Sequence, residues 1–343
     1  NSDFTLGEEL FQSLVSPGLS SDIENIVICP DEILNYLPFE ALVFTKEGEK
    51  HWLIQDYRIT YIPSITSLRE ILDQESRIKH KRTKDVLAFG DPYLGPNEEK
   101  GEIENILKNF SFASSLSLER LKFSGQEVDR IADIFGDRKV TLFKRKDASE
   151  ENFKQLDLTD YRIIHFATHG LIDDKTPARS AIVLSLESTS KSIEDGFLQM
   201  REIFNIDLNS DLVTLSACQT ALGQFIRGEG LVGLSRAFFY AGASTTLISL
   251  WPVNDQASAQ LMERFYTHLH AKRSVSEAIQ DTKLELIDSG VLSHPYYWAA
   301  FIVSGKSDTV ISPSGWLKWW MGLIALLIGG GFVYSALRRK RIL

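Results

Sequence analysis

The sequence predicts an α/β domain, with a mostly parallel sheet flanked by helices, followed by a single C-terminal transmembrane helix. Three observations carry this. Short continuous apolar runs alternate with segments of helical spacing from about residue 122 onward, the pattern of successive βαβ units. Several of those runs end at Gly, His or Ser-Ala-Cys, the punctuation of strands that stop at a functional edge. The run Trp319–Leu337 carries no charged residue and is followed by Arg338, Arg339, Lys340 and Arg341.

Taken in order, residues 1–15 space Leu6, Leu10, Phe11 and Leu14 as a helix, and Pro17-Gly18 ends it. Ile26-Val27-Ile28-Cys29 reads as a buried strand stopped by Pro30. Leu37–Leu42 and Tyr57–Ile62 read as a hairpin-like excursion, and Val86–Gly90 as a further buried strand. Residues 94–122 are polar without periodicity and read as an insertion or loop. A helix at 127–135, strand 140–143 and helix 149–156 follow. Strands are expected at Tyr161–Ala167, Ala181–Leu186, Leu212–Ala217, 245–250 and Trp298–Val303. Helices are expected over 230–241, 255–271 and 275–289.

Composition limits the function. With 343 residues the chain holds one large domain or two ordinary ones. Hydrophobic residues at 43% and charged residues at 24% exclude wholesale disorder. Thirty-seven basic against 46 acidic residues give a net charge of -9, without a basic stripe. General nucleic-acid binding, which needs clustered Lys and Arg, is not expected. Two cysteines, Cys29 and Cys218, exclude a disulfide framework and any Cys-rich zinc site.

Two strand ends carry nucleophile chemistry. Ile163–Thr168 is followed by His169 and Gly170, and Val213–Ala217 by Cys218. A thiol needs a neighbouring base to form thiolate near neutral pH, and imidazole is the usual one. A core cysteine and a satisfied histidine are the bland alternative, which the joint placement at two strand ends outweighs. His165 precedes His169 by four residues. On a strand that spacing is about 13 Å, too far to chelate one ion, so His165 is structural or supporting. No metal or cofactor site is expected. Gly228–Gly233 spells GxGxxG, but not directly after a strand, so it reads as a loop and helix start rather than a dinucleotide site.

The segments HFATHG (165–170) and SACQTALG (216–223) resemble the His-Gly and Ala-Cys signature of caspase-like cysteine peptidases. More closely, the chain is similar to the CHAT domain, the bacterial caspase-like branch often found after tetratricopeptide repeats. Further matching segments are ICPDEILNYLPFEALVF, LAFGDPYLG (87–95), residues 228–258, and HPYYWAAFIVSG (294–305). The resemblance covers roughly residues 23–305. It implies a caspase-like fold and a cysteine endopeptidase acting on a protein substrate, with His169 as general base and Cys218 as nucleophile. The backbone amides of Gly170 and Cys218 are the natural oxyanion donors. Thr220 stands where caspases proper have Gly, which argues against Asp-specific cleavage. Asp255 is either the N-cap or first-turn acid of its helix or an acidic wall of the substrate pocket, and both roles can coexist. The alternative function is a catalytically silent caspase-like interaction module.

The expected organisation is an N-terminal helical segment or linker (1–22), the peptidase domain (23–305), a linker (306–315), a membrane span (316–337) and a basic tail (338–343). The chain opens Asn-Ser-Asp-Phe, so it reads as part of a longer protein with a regulatory, tetratricopeptide-repeat or other region upstream. The expected location is a membrane, single-pass; the basic tail points to the cytoplasm, and the side of the catalytic domain stays open. The resemblance also makes bacterial defence an expected setting.

Overall fold

The computed structural model describes residues 4–20, 22–77, 82–96, 98, 118–136, 139–173, 176–186, 193–216 and 230–311. The chain divides into a unit of Asn1–Ile311 and a second of Ser312–Leu343; the second lies outside the described residues.

The described elements run α1 (Thr5–Leu14), β1 (Asn25–Ile28), β2 (Val43–Lys46), β3 (Glu49–Trp52), α2 (Leu53–Asp56), β4 (Arg58–Tyr61), α3 (Ile65–Arg77) and β5 (Lys84–Pro92). Then come α4 (Ser124–Phe135), β6 (Val140–Arg145), α5 (Glu150–Gln155), β7 (Tyr161–Ala167), β8 (Gly170–Leu171), β9 (Ala181–Val183) and β10 (Phe197–Gln199). The chain continues with α6 (Met200–Ile203), β11 (Leu212–Leu215), α7 (Gly230–Ala241), β12 (Thr245–Ser249), α8 (Asp255–His270), α9 (Val275–Ser289), α10 (Pro295–Trp298) and β13 (Phe301–Gly305).

Eight strands form the main sheet among the described residues, in the order β1-β4-β13-β12-β11-β7-β5-β6. Every pairing is parallel except β12 with β13. The sheet is therefore mostly parallel, as expected, and built from two parallel blocks that run opposite ways. In the larger block, β5, β7, β11 and β12 all end on one edge. The chain leaves β5 towards β6, then crosses back to β7 and on to β11 and β12. The gap between β5 and β7 is thus the switch point, where open α/β sheets leave a crevice.

Both faces of the sheet are covered. Phe153, Leu234 and Phe238 pack with Ile164, Phe166, Val213 and Leu215 on one face. On the other, Val128 and Ile131 of α4 and Leu261, Phe265 and Tyr266 of α8 pack on Ile163, Ala167, Leu212 and Leu247. This is the alternation of strands buried on both sides. The helices carry local start signals. Asn254 caps α8 by accepting from Ala257 N at 3.2 Å, and Ser274 with Glu277 forms a capping box at α9.

Two segments differ from the sequence reading. The run from Ala181 does not enter the main sheet. It pairs antiparallel with β8 and β10 in a small sheet, because the chain folds back after His169 and Val183 N donates to the His169 carbonyl at 2.8 Å. The hairpin is Val43–Lys46 with Glu49–Trp52. It turns at Glu47 (φ 52°) and Gly48 (φ 89°), the two positive φ values of a tight hairpin turn. Leu37–Leu42 instead makes a short helical turn that buries Glu40. Its carboxylate pairs with Lys283 Nζ at 3.0 Å and accepts from the Tyr61 hydroxyl, fastening the turn to α9.

The expected membrane location is corrected. No helix among the described residues is long and apolar enough to cross a membrane. The longest of them, α8, has 16 residues, about 24 Å, short of the roughly 30 Å hydrocarbon layer. It is also two-faced: Leu261, Phe265 and Leu269 are buried while Glu263 is exposed. The expected span at 316–337 lies outside the described residues.

Gly90 sets how closely α4 approaches β5. A Cβ there would sit 2.7 Å from the Ser124 carbonyl and 2.8 Å from Val128 Cγ2. Gly90→Ala is expected to destabilise the domain by about 1–3 kcal/mol, the cost typical of overpacking. Urea denaturation of the two proteins measures it.

Candidate functional site

β7 is buried along its whole length except Arg162, and the chain turns immediately after it. His169 follows there, 1% exposed. Its ring is held by one backbone contact, Nε2 to the Glu119 carbonyl at 2.7 Å. A carbonyl only accepts, so Nε2 carries the proton and Nδ1 keeps its lone pair. Nδ1 is buried and has no hydrogen-bond partner among the described residues. Burial pushes the His169 pKa down to about 4, against a smaller upward pull from the Glu119 carbonyl. At neutral pH the ring is a neutral imidazole whose basic nitrogen meets no donor among the described residues.

Glu119 belongs to a segment, residues 118–123, that crosses the switch point and is clamped at several places. Arg120 donates two bonds to Asp91, Nε to Oδ1 at 2.9 Å and Nη2 to Oδ2 at 2.8 Å, the fork geometry of a strong charge-assisted pair. Arg145 donates to the same Asp91 Oδ1 at 2.8 Å. Asp91 sits in β5 at φ 46°, where the register with β6 shifts. That local bulge aims its carboxylate at both arginines. Sequence reasoning missed Asp91, Glu119 and Arg120. The signal that was available for Asp91 is the Gly-Asp-Pro step closing a buried strand.

Asp255 lies at the far end of the same segment. It follows β12 and opens α8, whose cap is Asn254, so Asp255 is a first-turn acid and not the cap. Its Oδ2 accepts from Phe123 N at 2.6 Å. Burial pushes its pKa up to about 6; the Phe123 bond opposes this, and the negative Glu127 and Asp91 add to it. The Trp-Pro segment before it is anchored, with Trp251 Nε1 on the Tyr296 carbonyl at 3.0 Å and Tyr296 Oη on the Pro252 carbonyl at 2.7 Å. This links the 228–258 and 294–305 segments.

The structure thus gathers His169, Gly170 and Asp255 at one sheet edge. Gly170 is the first residue of β8, opposite Ile182. Cys218 lies outside the described residues, two positions beyond the buried Ser216. Cys29 is exposed, its thiol on the Pro63 carbonyl at 3.8 Å. His165 is fully buried between Glu127 and Tyr266. Among the described residues, Glu150, Glu194 and Glu202 lie close enough to share a metal ion. Lys154 Nζ already stands among them, at 2.7, 2.5 and 2.8 Å, and supplies the cation.

Residues 5–306 match the family described as the CHAT domain. The chain belongs to that family. Tetratricopeptide repeat protein 28 of Mus musculus is 35% identical to the CHAT chain over 117 residues, 34% of this chain and 5% of that protein. The CHAT chain therefore spans a small fraction of its curated relative. Similar solved structures include the separase–securin complex of Saccharomyces cerevisiae, at 16% identity and TM-score 0.44, covering 79% of this chain and 15% of that one. The complex of Porphyromonas gingivalis RgpB pro- and mature domains gives 8% identity and TM-score 0.49, covering 90% and 69%.

The lowered His169 pKa has a stability consequence in this CHAT domain. Between about pH 4 and 6.5 the unfolded state binds the proton and the folded state does not, so stability falls as pH drops through that window. From pH 7 to pH 5 the wild type is expected to lose about 2 kcal/mol more than His169→Gln. Asp255 shifts the opposite way but is common to both proteins. Urea titrations at the two pH values check the difference.

Proposed function

We propose that this CHAT domain is a cysteine endopeptidase of the caspase-like type, with His169 and Cys218 as its dyad. The observation that carries the reading is the orphaned His169 Nδ1, a buried lone pair at the carboxyl edge beside the strand that leads to Cys218. Leaving such a nitrogen unpaired costs free energy, which a thiol donor would recover.

The reaction follows from that tautomer. The Cys218 thiol proton passes to Nδ1 as Sγ attacks the scissile carbonyl carbon. The resulting oxyanion is received by backbone amides, with those of Gly170 and Cys218 as the assigned pair. The proton on Nδ1 then goes to the leaving amine as the C–N bond breaks. Water, deprotonated by Nδ1, releases the acyl group and restores the thiol. The Glu119 carbonyl holds the ring through both transfers and favours the Nε2–H it already binds.

Asp255 is assigned to the wall of the primary pocket. Its raised pKa reflects burial first and its negative neighbours Glu127 and Asp91 after that, and a cationic side chain before the scissile bond would stabilise the buried charge. An apolar side chain would leave the charge uncompensated, which is the discriminating term. A protein substrate with Arg or Lys at that position is the natural partner. An upstream tetratricopeptide-repeat region is the proposed regulator, in keeping with the relative's name.

Cys218→Ala and His169→Ala are each expected to abolish cleavage of fluorogenic peptides while the circular-dichroism spectrum is retained; full activity in either would remove the dyad. Asp255→Asn should lower kcat/KM on Arg substrates by roughly 10- to 100-fold and leave Leu or Met substrates within a few-fold. In the wild type, the ratio of Arg to Leu turnover should fall as pH drops through about 6, where Asp255 takes up its proton. A flat ratio, with no effect of Asp255→Asn, would return Asp255 to the helix start alone.

A further inference from the structure

Beneath the site lies a polar chain that the proposed reaction does not use. Glu127, in the first turn of α4, accepts through Oε1 from His165 Nε2 at 2.8 Å and from the Ser216 hydroxyl. A carboxylate only accepts, so His165 carries its proton on Nε2. His165 Nδ1 meets the Tyr266 hydroxyl at 2.9 Å, and that hydroxyl meets Thr214 Oγ1 at 2.9 Å. All five residues are at most 2% exposed. Tyr266 stays a protonated phenol, its pKa pushed up by burial and by the negative Glu127.

The placement is specific to the strand ends. Thr214 is the register partner of His165, and Thr214 and Ser216 point to the same face by the two-residue period of a strand. Further back on that face, Ile163 and Leu212 form an ordinary apolar layer with α4 and α8, while Leu247 of β12 stands level with Thr214. An apolar layer would hold the ends as well, and burying a carboxylate costs several kcal/mol unless it is fully bonded. On β7 and β11 the polar set takes over at His165, Thr214 and Ser216, nearer the edge, with Ala167 still part of the apolar layer. Directional bonds fix angle and register in a way that apolar contact does not.

We infer that Glu127, His165, Tyr266, Thr214 and Ser216 form a positioning unit that locks the carboxyl ends of β7 and β11 together, and so sets the approach of Cys218 to His169. This rests on the dyad reading above. The unit touches no substrate. It acts on the strand that ends just before His169 and on the one that leads to Cys218. Misplacement of a reacting group by about 1 Å can cost about 100-fold in rate, so small losses of direction here should be visible in thiol reactivity.

The test uses the full chain with Cys29→Ser, where Cys218 is the sole thiol. Its alkylation rate by iodoacetamide at pH 7 is measured beside kcat and KM on an Arg-containing fluorogenic peptide. Ser216→Ala and Tyr266→Phe remove one hydroxyl each with little change of shape. Both are expected to slow alkylation and kcat together by roughly 10- to 100-fold, with KM within threefold and Tm within a few degrees. Glu127→Gln, which keeps an acceptor oxygen, should retain far more of the rate than Glu127→Leu. Alkylation and kcat within twofold of the parent in both hydroxyl variants would overturn the positioning unit and leave the dyad standing. Equal alkylation of the parent and His169→Ala would overturn the dyad, and the unit with it.

Discussion

Glu119 offers His169 a backbone carbonyl, a group with no proton to give. That fixes the proton on Nε2 and turns the basic nitrogen of a buried ring away from its tether. The consequence depends on where Glu119 is held. Asp91 binds Arg120 through both carboxylate oxygens and Arg145 through one, and Asp255 receives the Phe123 amide. The segment 118–123 is therefore tied to the ends of β5 and β12 through the Arg120 guanidinium and the Phe123 amide, while Glu119, just ahead of them, restrains the residue after β7. Three strand ends are coordinated by one short stretch of chain.

The sheet explains why these ends meet. β5, β7, β11 and β12 are parallel neighbours, so residues that follow them emerge on one edge, about 5 Å apart from strand to strand. β13 reverses the direction, and with β4 and β1 forms a second block that lends this edge nothing from its own carboxyl ends. Its contribution is support. Trp298, before β13, is buried with its indole nitrogen on the Ser293 carbonyl at 3.0 Å, and Tyr296 anchors the Trp-Pro segment ahead of Asp255.

Much of this was legible in the sequence, and the rest was hidden for identifiable reasons. β7 runs from Tyr161 to Ala167 and α7 from Gly230 to Ala241, as their patterns predict, because a buried strand and a helix with a continuous apolar face leave unmistakable spacing. The reversal of β13 left no trace, since a short apolar run reads the same in either direction. A strand from Ala181 is legible, but its sheet is not, because three buried residues satisfy any sheet and only the fold-back after His169 decides which. Glu119 was invisible in principle: it acts through its carbonyl, which every residue possesses. Glu127 was hidden by being ordinary, an acid in the first turn of a helix, distinguished only by what its buried carboxylate meets.

The proposed mechanism requires His169 to rest as a neutral imidazole protonated on Nε2, with the lone pair of Nδ1 available to act as base. Nitrogen-15 NMR of histidine-labelled protein, with His169→Gln used to assign the resonance, reports this directly through the long-range couplings between ring protons and ring nitrogens. The expected result at pH 7 is one protonated nitrogen at Nε2 and a pyridine-like Nδ1 that titrates only as the pH approaches about 4. A proton on Nδ1, or a ring that titrates near its ordinary value of about 6.5, would contradict it.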